Sequence, residues 1–297
     1  MAETRMVRLM ESMSEPRRGE TVAVGREPVF GSGAFVAFER ASRTLQAACR
    51  EERRPGVFVF AVHDELGVVG QLWLQATQAP RAGTLGRHAH VDLSLSREGA
   101  LSLRHLVVLV RLVGGRVRTT AVDLETLNGT HTWAGQQRVV TGDGCLHLRT
   151  GRVSLFCVPT GLESPLPGSA RLGWTLFDES GPARATPFRR ASGEAGRVGL
   201  LLLHRPGAVA TRPVDEAVLE RGVLVGRDPR CDLVVSDPQV SRIHGLVLAI
   251  EGAPHLVDTG STNGLVHDSG ERARCWRLED GDRFSVGRAR LEWRALQ

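Results

Sequence analysis

The chain contains a near-copy of part of itself, which restricts it to folds built twice. Leu85-Gly86-Arg87-His88-Ala89-His90-Val91-Asp92-Leu93 lies beside Val225-Gly226-Arg227-Asp228-Pro229-Arg230-Cys231-Asp232-Leu233 without a gap. Ser102-Leu103-Arg104-His105 lies beside Ser241-Arg242-Ile243-His244, with one extra residue before it. Asp123-Leu124-Glu125-Thr126-Leu127-Asn128-Gly129 lies beside Asp258-Thr259-Gly260-Ser261-Thr262-Asn263-Gly264. The offset is about 140 residues, one domain plus a connector, and signals a duplicated domain rather than a solenoid. At 297 residues and 41% apolar content, the chain has room for two domains with a core in each.

Both copies have strand texture. Val57-Phe58-Val59-Phe60-Ala61-Val62 reads as one strand and 68–74 as the next, with 63–67 as the turn between them. In the second copy Leu200-Leu201-Leu202-Leu203, Val223-Leu224-Val225, Leu233-Val234-Val235, 246–250, His255-Leu256-Val257 and Leu291-Glu292-Trp293 are short runs divided by turn residues. Short strands with frequent turns predict an all-β sandwich in each half. Upstream, Phe35, Phe38, Ala41, Leu45 and Ala48-Cys49 recur at a helical period, opposite Glu39, Arg43, Arg50 and Glu51. They predict a helix over 34–54, ended by Pro55-Gly56, that packs on the next domain or serves a partner. The expected order is an N-terminal arm plus helix over 1–55 (the arm being 1–33), a sandwich over 56–160, a Pro/Gly-rich linker over 161–197 and a sandwich over 198–297. Within the linker, Trp174-Thr175-Leu176-Phe177 is an apolar run suited to docking on a neighbour.

Three polar clusters of the second copy fall at successive strand ends or loops: Gly226-Arg227, Ser241-Arg242-Ile243-His244 and Ser261-Thr262-Asn263-Gly264. Together they are rich in donors and need no carboxylate, which suits a doubly charged phosphate beside a peptide backbone. Arg227 offers a planar fork of donors, Ser241 and Thr262 offer hydroxyls, and Arg242 offers charge. Asn263 carries both a carbonyl and an amide, which suits an extended peptide. In this order and spacing the clusters resemble the forkhead-associated (FHA) domain, a phosphothreonine-reading β-sandwich, over about the last third of the chain. The resemblance implies that Ser241, Arg242 and Thr262 hold the phosphate, and that Arg227 and Asn263 hold the phosphothreonine region and the peptide main chain. Gly226, His244 and Gly264 would support the site, with His244 bracing the loop from beneath. The implied partner is a phosphothreonine-containing protein, with a Ser/Thr kinase upstream. The alternative is a scaffold that binds its partner without phosphate.

The first copy keeps only part of the pattern. Arg87, Ser102, His105 and Asn128 match, but Leu103 stands at the Arg242 position and Leu127 at the Thr262 position. Arg104 comes one residue late, where a strand would turn its side chain to the other face. A charge-assisted hydrogen bond contributes ~1.5–3 kcal/mol, so two lost donors cost roughly 3–6 kcal/mol. Micromolar binding requires about 8 kcal/mol in all. Arg87, Ser102 and Asn128 are therefore expected to form a degenerate site without useful affinity for phosphothreonine.

Composition removes several other classes. There is no Lys and no Tyr, and Asn occurs only as Asn128 and Asn263, each in Asn-Gly five residues after an Asp. Without Lys there is no P-loop lysine, kinase strand lysine or Schiff base, so neither an enzyme nor a cofactor is expected. His88-Ala89-His90-Val91-Asp92 has the look of a metal pair, but Asp228-Pro229-Arg230-Cys231-Asp232 replaces it in the other copy, so no metal is expected. Gly142-Asp143 and Gly281-Asp282 recur as turns rather than acids in a site. The net charge is +5, yet 198–297 carries 13 Arg against 14 Asp and Glu, and 56–160 carries 10 against 7. Without a basic block or a stacking surface, specific nucleic-acid binding is not expected. No run approaches 18 apolar residues, and 1–26 lacks the apolar centre of a signal peptide. Cys49, Cys145, Cys157, Cys231 and Cys275 form no Cys-x-x-Cys pair, so reduced, mostly buried thiols, a cytoplasmic location and no membrane association are expected. The lack of Lys and Tyr suggests the codon bias of a bacterial source.

Overall fold

Strand β1 (Gly56–His63) shows how the first half is layered. It is buried along almost its whole length because both faces are covered: Val57, Val59 and Ala61 point into one core, Phe60 and Val62 into another. That is why the run reads as continuously apolar instead of alternating. The computed structural model describes residues 32–161, 166, 169–178, 197–272 and 274–296. Of the arm expected over 1–33, all but the last two residues lie outside this set.

The first half continues through β2 (Gly67–Gln75), β3 (Arg81–Gly86), β4 (Leu93–Ser94), β5 (Leu106–Val113), β6 (Arg116–Asp123), β7 (His131–Thr132), β8 (Gly135–Gln136), β9 (Val139–Gly142), β10 (Leu146–Thr150) and β11 (Val153–Thr160). One sheet runs β2-β1-β11-β10-β7-β8 and the other β4-β3-β5-β6-β9. Between them lies a core that includes Val59, Leu85, Leu106, Val108, Leu148 and Leu155.

The second half comprises β12 (Arg197–Arg205), β13 (Ala208–Asp215), β14 (Val223–Gly226), β15 (Leu233–Val234), β16 (Gly245–Ile250), β17 (Ala253–Asp258), β18 (Val266–His267), β19 (Cys275–Arg277), β20 (Arg283–Val286) and β21 (Ala289–Ala295). Its sheets run β13-β12-β21-β20-β18 and β15-β14-β16-β17-β19. Apart from β8, the two halves have the same strand order, position for position. The fold is thus mostly β, as expected, with an N-terminal helix.

That helix, α1 (Ser32–Glu51), buries Ala34, Ala37, Phe38, Ala41, Leu45 and Cys49. It does not enter the sandwich core but covers the outer face of β1 and β11, where Phe60, Phe156 and Val158 meet it. Within the expected linker, residues 170–178 are helical instead: α2 (Ala170–Asp178) packs beside α1, with Phe177 and Trp174 at 5.2 and 5.7 Å from the Phe38 ring. The docking of this run on aromatic neighbours outweighs its low-propensity surroundings, since burying one such ring contributes about 1.5–3 kcal/mol. Of the expected linker, 162–165, 167–168 and 179–196 lie outside the described residues. A short helix that strand patterning does not register, α3 (Glu216–Arg221), is capped by the Asp215 carboxylate accepting from the Val218 N–H at 2.8 Å, and buries Leu219 in the second core.

The two sandwiches pack directly on each other. Along β5, Leu106, Val108 and Val110 face the first core, while Val107 and Leu109 face the other way. Along β16, Val247 faces the second core, while Leu246 and Leu248 face outward. These outward sets close on one another, with Val122, Leu124, Ile243 and Val257, in a single buried cluster. At its rim Arg118 bridges Asp143 at 2.6 Å and Glu251 of the second half at 2.7 Å, and Arg274 pairs with Asp92. All five cysteines are free, and burial pushes their thiols up to about 12, so they stay protonated.

Candidate functional site

Three loops meet at one end of the second sandwich: the one after β14, the one before β16 and the one after β17. Backbone bonds zip the first two together, with the Arg227 N–H donating to Ser241 O at 3.1 Å and the Asp228 N–H to Arg242 O at 3.0 Å. The approach is so close that a Cβ on Gly226 would lie 2.1 Å from Arg242 O, which only glycine avoids.

His244 joins the second loop to the third. It is fully buried; its Nδ1 accepts the Ser241 N–H at 3.2 Å and its Nε2 lies 3.1 Å from Gly264 O. An acceptor at Nδ1 and a donor at Nε2 define one neutral tautomer, and burial holds its pKa below the ordinary imidazole value. The third loop is folded around Asp258, whose carboxylate takes the N–H and the Oγ–H of Ser261, both at 2.7 Å. The Thr262 N–H then donates to Ser241 Oγ at 3.1 Å, and Gly264 adopts a left-handed φ of 74°.

This framework leaves its cationic and hydroxyl groups outward. Arg227, Arg242, Thr262 and Asn263 are exposed, while Ser241 is buried beneath them with its hydroxyl bridging to the third loop. Among the described residues, neither the Arg227 nor the Arg242 guanidinium donates a hydrogen bond or joins an ion pair. Asn263 does have a partner: its Nδ2 donates to Gln239 O at 2.7 Å, which ties the third loop to the second. Two guanidiniums unpaired among the described residues, set beside hydroxyls, are an arrangement chemically able to hold an anion.

Residues 223–287 match the FHA domain.

Solved structures similar to the chain include Mycobacterium tuberculosis Rv1747 FHA-1, at 27% identity over 33% of this chain and 98% of that one, with a TM-score of 0.27. The FHA domain of Chlamydia trachomatis CT664 is similar at 22% identity over 34% of this chain and 100% of that one, with a TM-score of 0.31. No curated protein matches the chain.

All the expected site residues, Arg227, Ser241, Arg242, Thr262 and Asn263, with Gly226, His244 and Gly264, lie inside this FHA domain and at one end of it. The corresponding end of the first sandwich has the same backbone skeleton. The Arg87 N–H donates to Ser102 O at 3.1 Å, the Ser102 N–H to His105 Nδ1 at 3.1 Å, and Asn128 Nδ2 to Ala100 O at 2.7 Å. Its side chains differ. Arg87 is half-buried with Nε donating to Leu101 O at 2.6 Å, Leu103 replaces the second guanidinium, and Leu127 is 58% exposed where the FHA domain has Thr262.

Arg104 occupies the place of Ile243 and points across the boundary into the FHA domain, where Nη2 and Nε lie 2.7 and 3.1 Å from Gly260 O. Beside the third loop a cleft of about 210 Å³ is lined by Thr262, Asn263, Arg272 and Arg274 and by His90 of the first sandwich. Sequence reasoning assigned no role to Asp258, Arg104 or His90. The recurring Asp five residues before each Asn was the available signal for Asp258. The other two depend on how the sandwiches pack. Among the described residues no group of His, Cys, Asp or Glu is arranged to hold a metal ion, and no helix is long and apolar enough to cross a membrane.

Proposed function

We propose that this chain is a non-enzymatic adaptor whose FHA domain binds phosphothreonine in a partner protein. The observation that carries the reading is the pair of exposed guanidiniums, Arg227 and Arg242, unpaired among the described residues and set beside the Ser241 and Thr262 hydroxyls at one end of the domain. A phosphate of about −2 charge brings acceptor oxygens that unmodified threonine lacks, so recognition depends on the modification. Arg242, Ser241 and Thr262 hold the phosphate, while Arg227 and Asn263 hold the peptide beside it. His244, Gly226 and Gly264 keep the loops in place. The partner is the substrate of a Ser/Thr kinase, and the adaptor acts in that signalling step in the cytoplasm of a bacterium, without nucleic acid or membrane.

The first sandwich is a degenerate copy from the same duplication. Its matching strand order and loop hydrogen bonds support common origin, and Leu103 and Leu127 in place of two phosphate donors support loss of the site. A second reading, a scaffold that binds without phosphate, is favoured by the exposed Leu127 at the first site. Fluorescence anisotropy of the full chain against degenerate phosphothreonine, phosphoserine and threonine peptide pools separates the two. Binding confined to the phosphothreonine pool supports the adaptor; equal binding to the threonine pool overturns it in favour of the scaffold.

A further inference from the structure

Arg104 presents a physical problem. Its side chain is 7% exposed, and both of its hydrogen bonds to the FHA domain end on one uncharged carbonyl, Gly260 O, at 2.7 and 3.1 Å. A buried cation without a bonded carboxylate costs free energy, and burial lowers its pKa accordingly. Asp258, whose charge favours the cation, is already committed to Ser261. The Arg104 charge is also set against a like charge on Arg242, and the same Arg242 charge is felt at Arg87 and His88. Four cationic or titratable groups from two sandwiches thus gather around one end of the FHA domain.

The loop that Arg104 holds is shaped for this contact. Gly260 sits at a left-handed φ of 74°, and a Cβ there would lie 2.8 Å from Thr84 Oγ1 of the first sandwich. Two residues on, Thr262 donates to Ser241 and faces the site. The first copy has Glu125 at the equivalent point, also left-handed at 55°, with its side chain outward to Arg138.

We propose that the first sandwich is a built-in part of the FHA domain's ligand site, with Arg104 as a positioning residue that clamps the 258–264 loop and adds its charge to that of Arg242. This rests on the phosphothreonine reading for the nature of the ligand. The arginine that fell one place out of its own site thereby serves its neighbour's. A phosphate seated at Arg242 offsets the repulsion among the gathered cations, so the strain of the empty site is released on binding.

The test uses the full chain, a fluorescein-labelled degenerate phosphothreonine peptide pool, and anisotropy at low and high NaCl. Arg104→Met is expected to weaken binding about tenfold and to flatten its salt dependence, while Arg104→Lys keeps the steeper dependence. Without peptide, amide hydrogen exchange over 260–264 is expected to accelerate in Arg104→Met. Arg118→Met, which removes two ion pairs at the rim of the boundary, is expected to bind as the unaltered chain does. If Arg104→Met does not fold, Arg104→Gln is read in its place. Unchanged affinity, or unchanged exchange over 260–264, overturns the proposal. If the unaltered chain fails to distinguish phosphothreonine from threonine pools, the phosphothreonine reading falls, and the exchange measurement alone decides whether Arg104 holds the loop.

Discussion

Replacing Arg242 with alanine separates binding from folding, because of what this side chain does not do. It is exposed and, among the described residues, makes no hydrogen bond and no ion pair. Burial is the main cause that lowers the pKa values of Arg87, His88 and Arg104, and the Arg242 charge lowers each of them further, so it acts as a repulsive neighbour. Its favourable influence is on Asp228, which is already paired with Arg230 at 3.0 Å. Arg242→Ala is therefore expected to leave the melting temperature unchanged or slightly raised, and to raise the His88 pKa slightly, since burial, Arg104 and His90 still hold it down. On the ligand side the change removes a charge-assisted contact of ~1.5–3 kcal/mol, a loss of roughly 13- to 160-fold in affinity. Differential scanning fluorimetry, NMR titration of His88 and anisotropy with the phosphothreonine pool read the three quantities on one sample. An affinity within about threefold of the unaltered chain would refute the role given to Arg242, since that is under 0.7 kcal/mol. A fall in melting temperature of several degrees would refute the claim that its side chain has no internal partner.

Three further outcomes follow from the packing. Gly226→Ala drives a methyl to 2.1 Å from a backbone carbonyl that is itself hydrogen-bonded, so it should destabilise the second sandwich and weaken peptide binding together; urea unfolding and anisotropy that change separately would contradict this. Phe38→Ala should cost about 3–5 kcal/mol in urea unfolding, because the ring is fully buried against Phe156 and Phe177; a loss below about 1 kcal/mol would show that α1 is only loosely attached. Burial pushes the His147 pKa down to about 3, so the unfolded chain takes up its proton first and stability falls as the pH drops below about 6.5. At about pH 5 the loss from this residue is about 2 kcal/mol, and His147→Gln should abolish that part of the acid sensitivity measured by urea unfolding.

Elements with a local cause can be read from the residues alone. The motif set recurs about 140 residues apart, and the strand orders of the two halves agree apart from β8. The glycines at 226 and 264 mark a close backbone approach and a left-handed turn, which are constraints on single residues and so visible one residue at a time. The order Arg227, Ser241-Arg242, Thr262-Asn263 was legible for the same reason, since each cluster sits at the end of its own strand.

Pairings between surfaces that each look complete alone emerge only from the folded chain. A strand such as β5, apolar on both faces, announces that each face will be covered but not by what; the cover turned out to be the FHA domain on one side of the sandwich and, on β1, two helices on the other. Trp174 and Phe177 read as an apolar run inside a linker because their partners, Phe38 and Phe156, come from distant segments. Arg104 is the sharpest instance. Its offset from the motif is visible in the sequence, but the group it meets is a carbonyl 156 residues further along the chain. Side-chain direction follows from the strand period, whereas the group it meets follows from how two sandwiches close on each other.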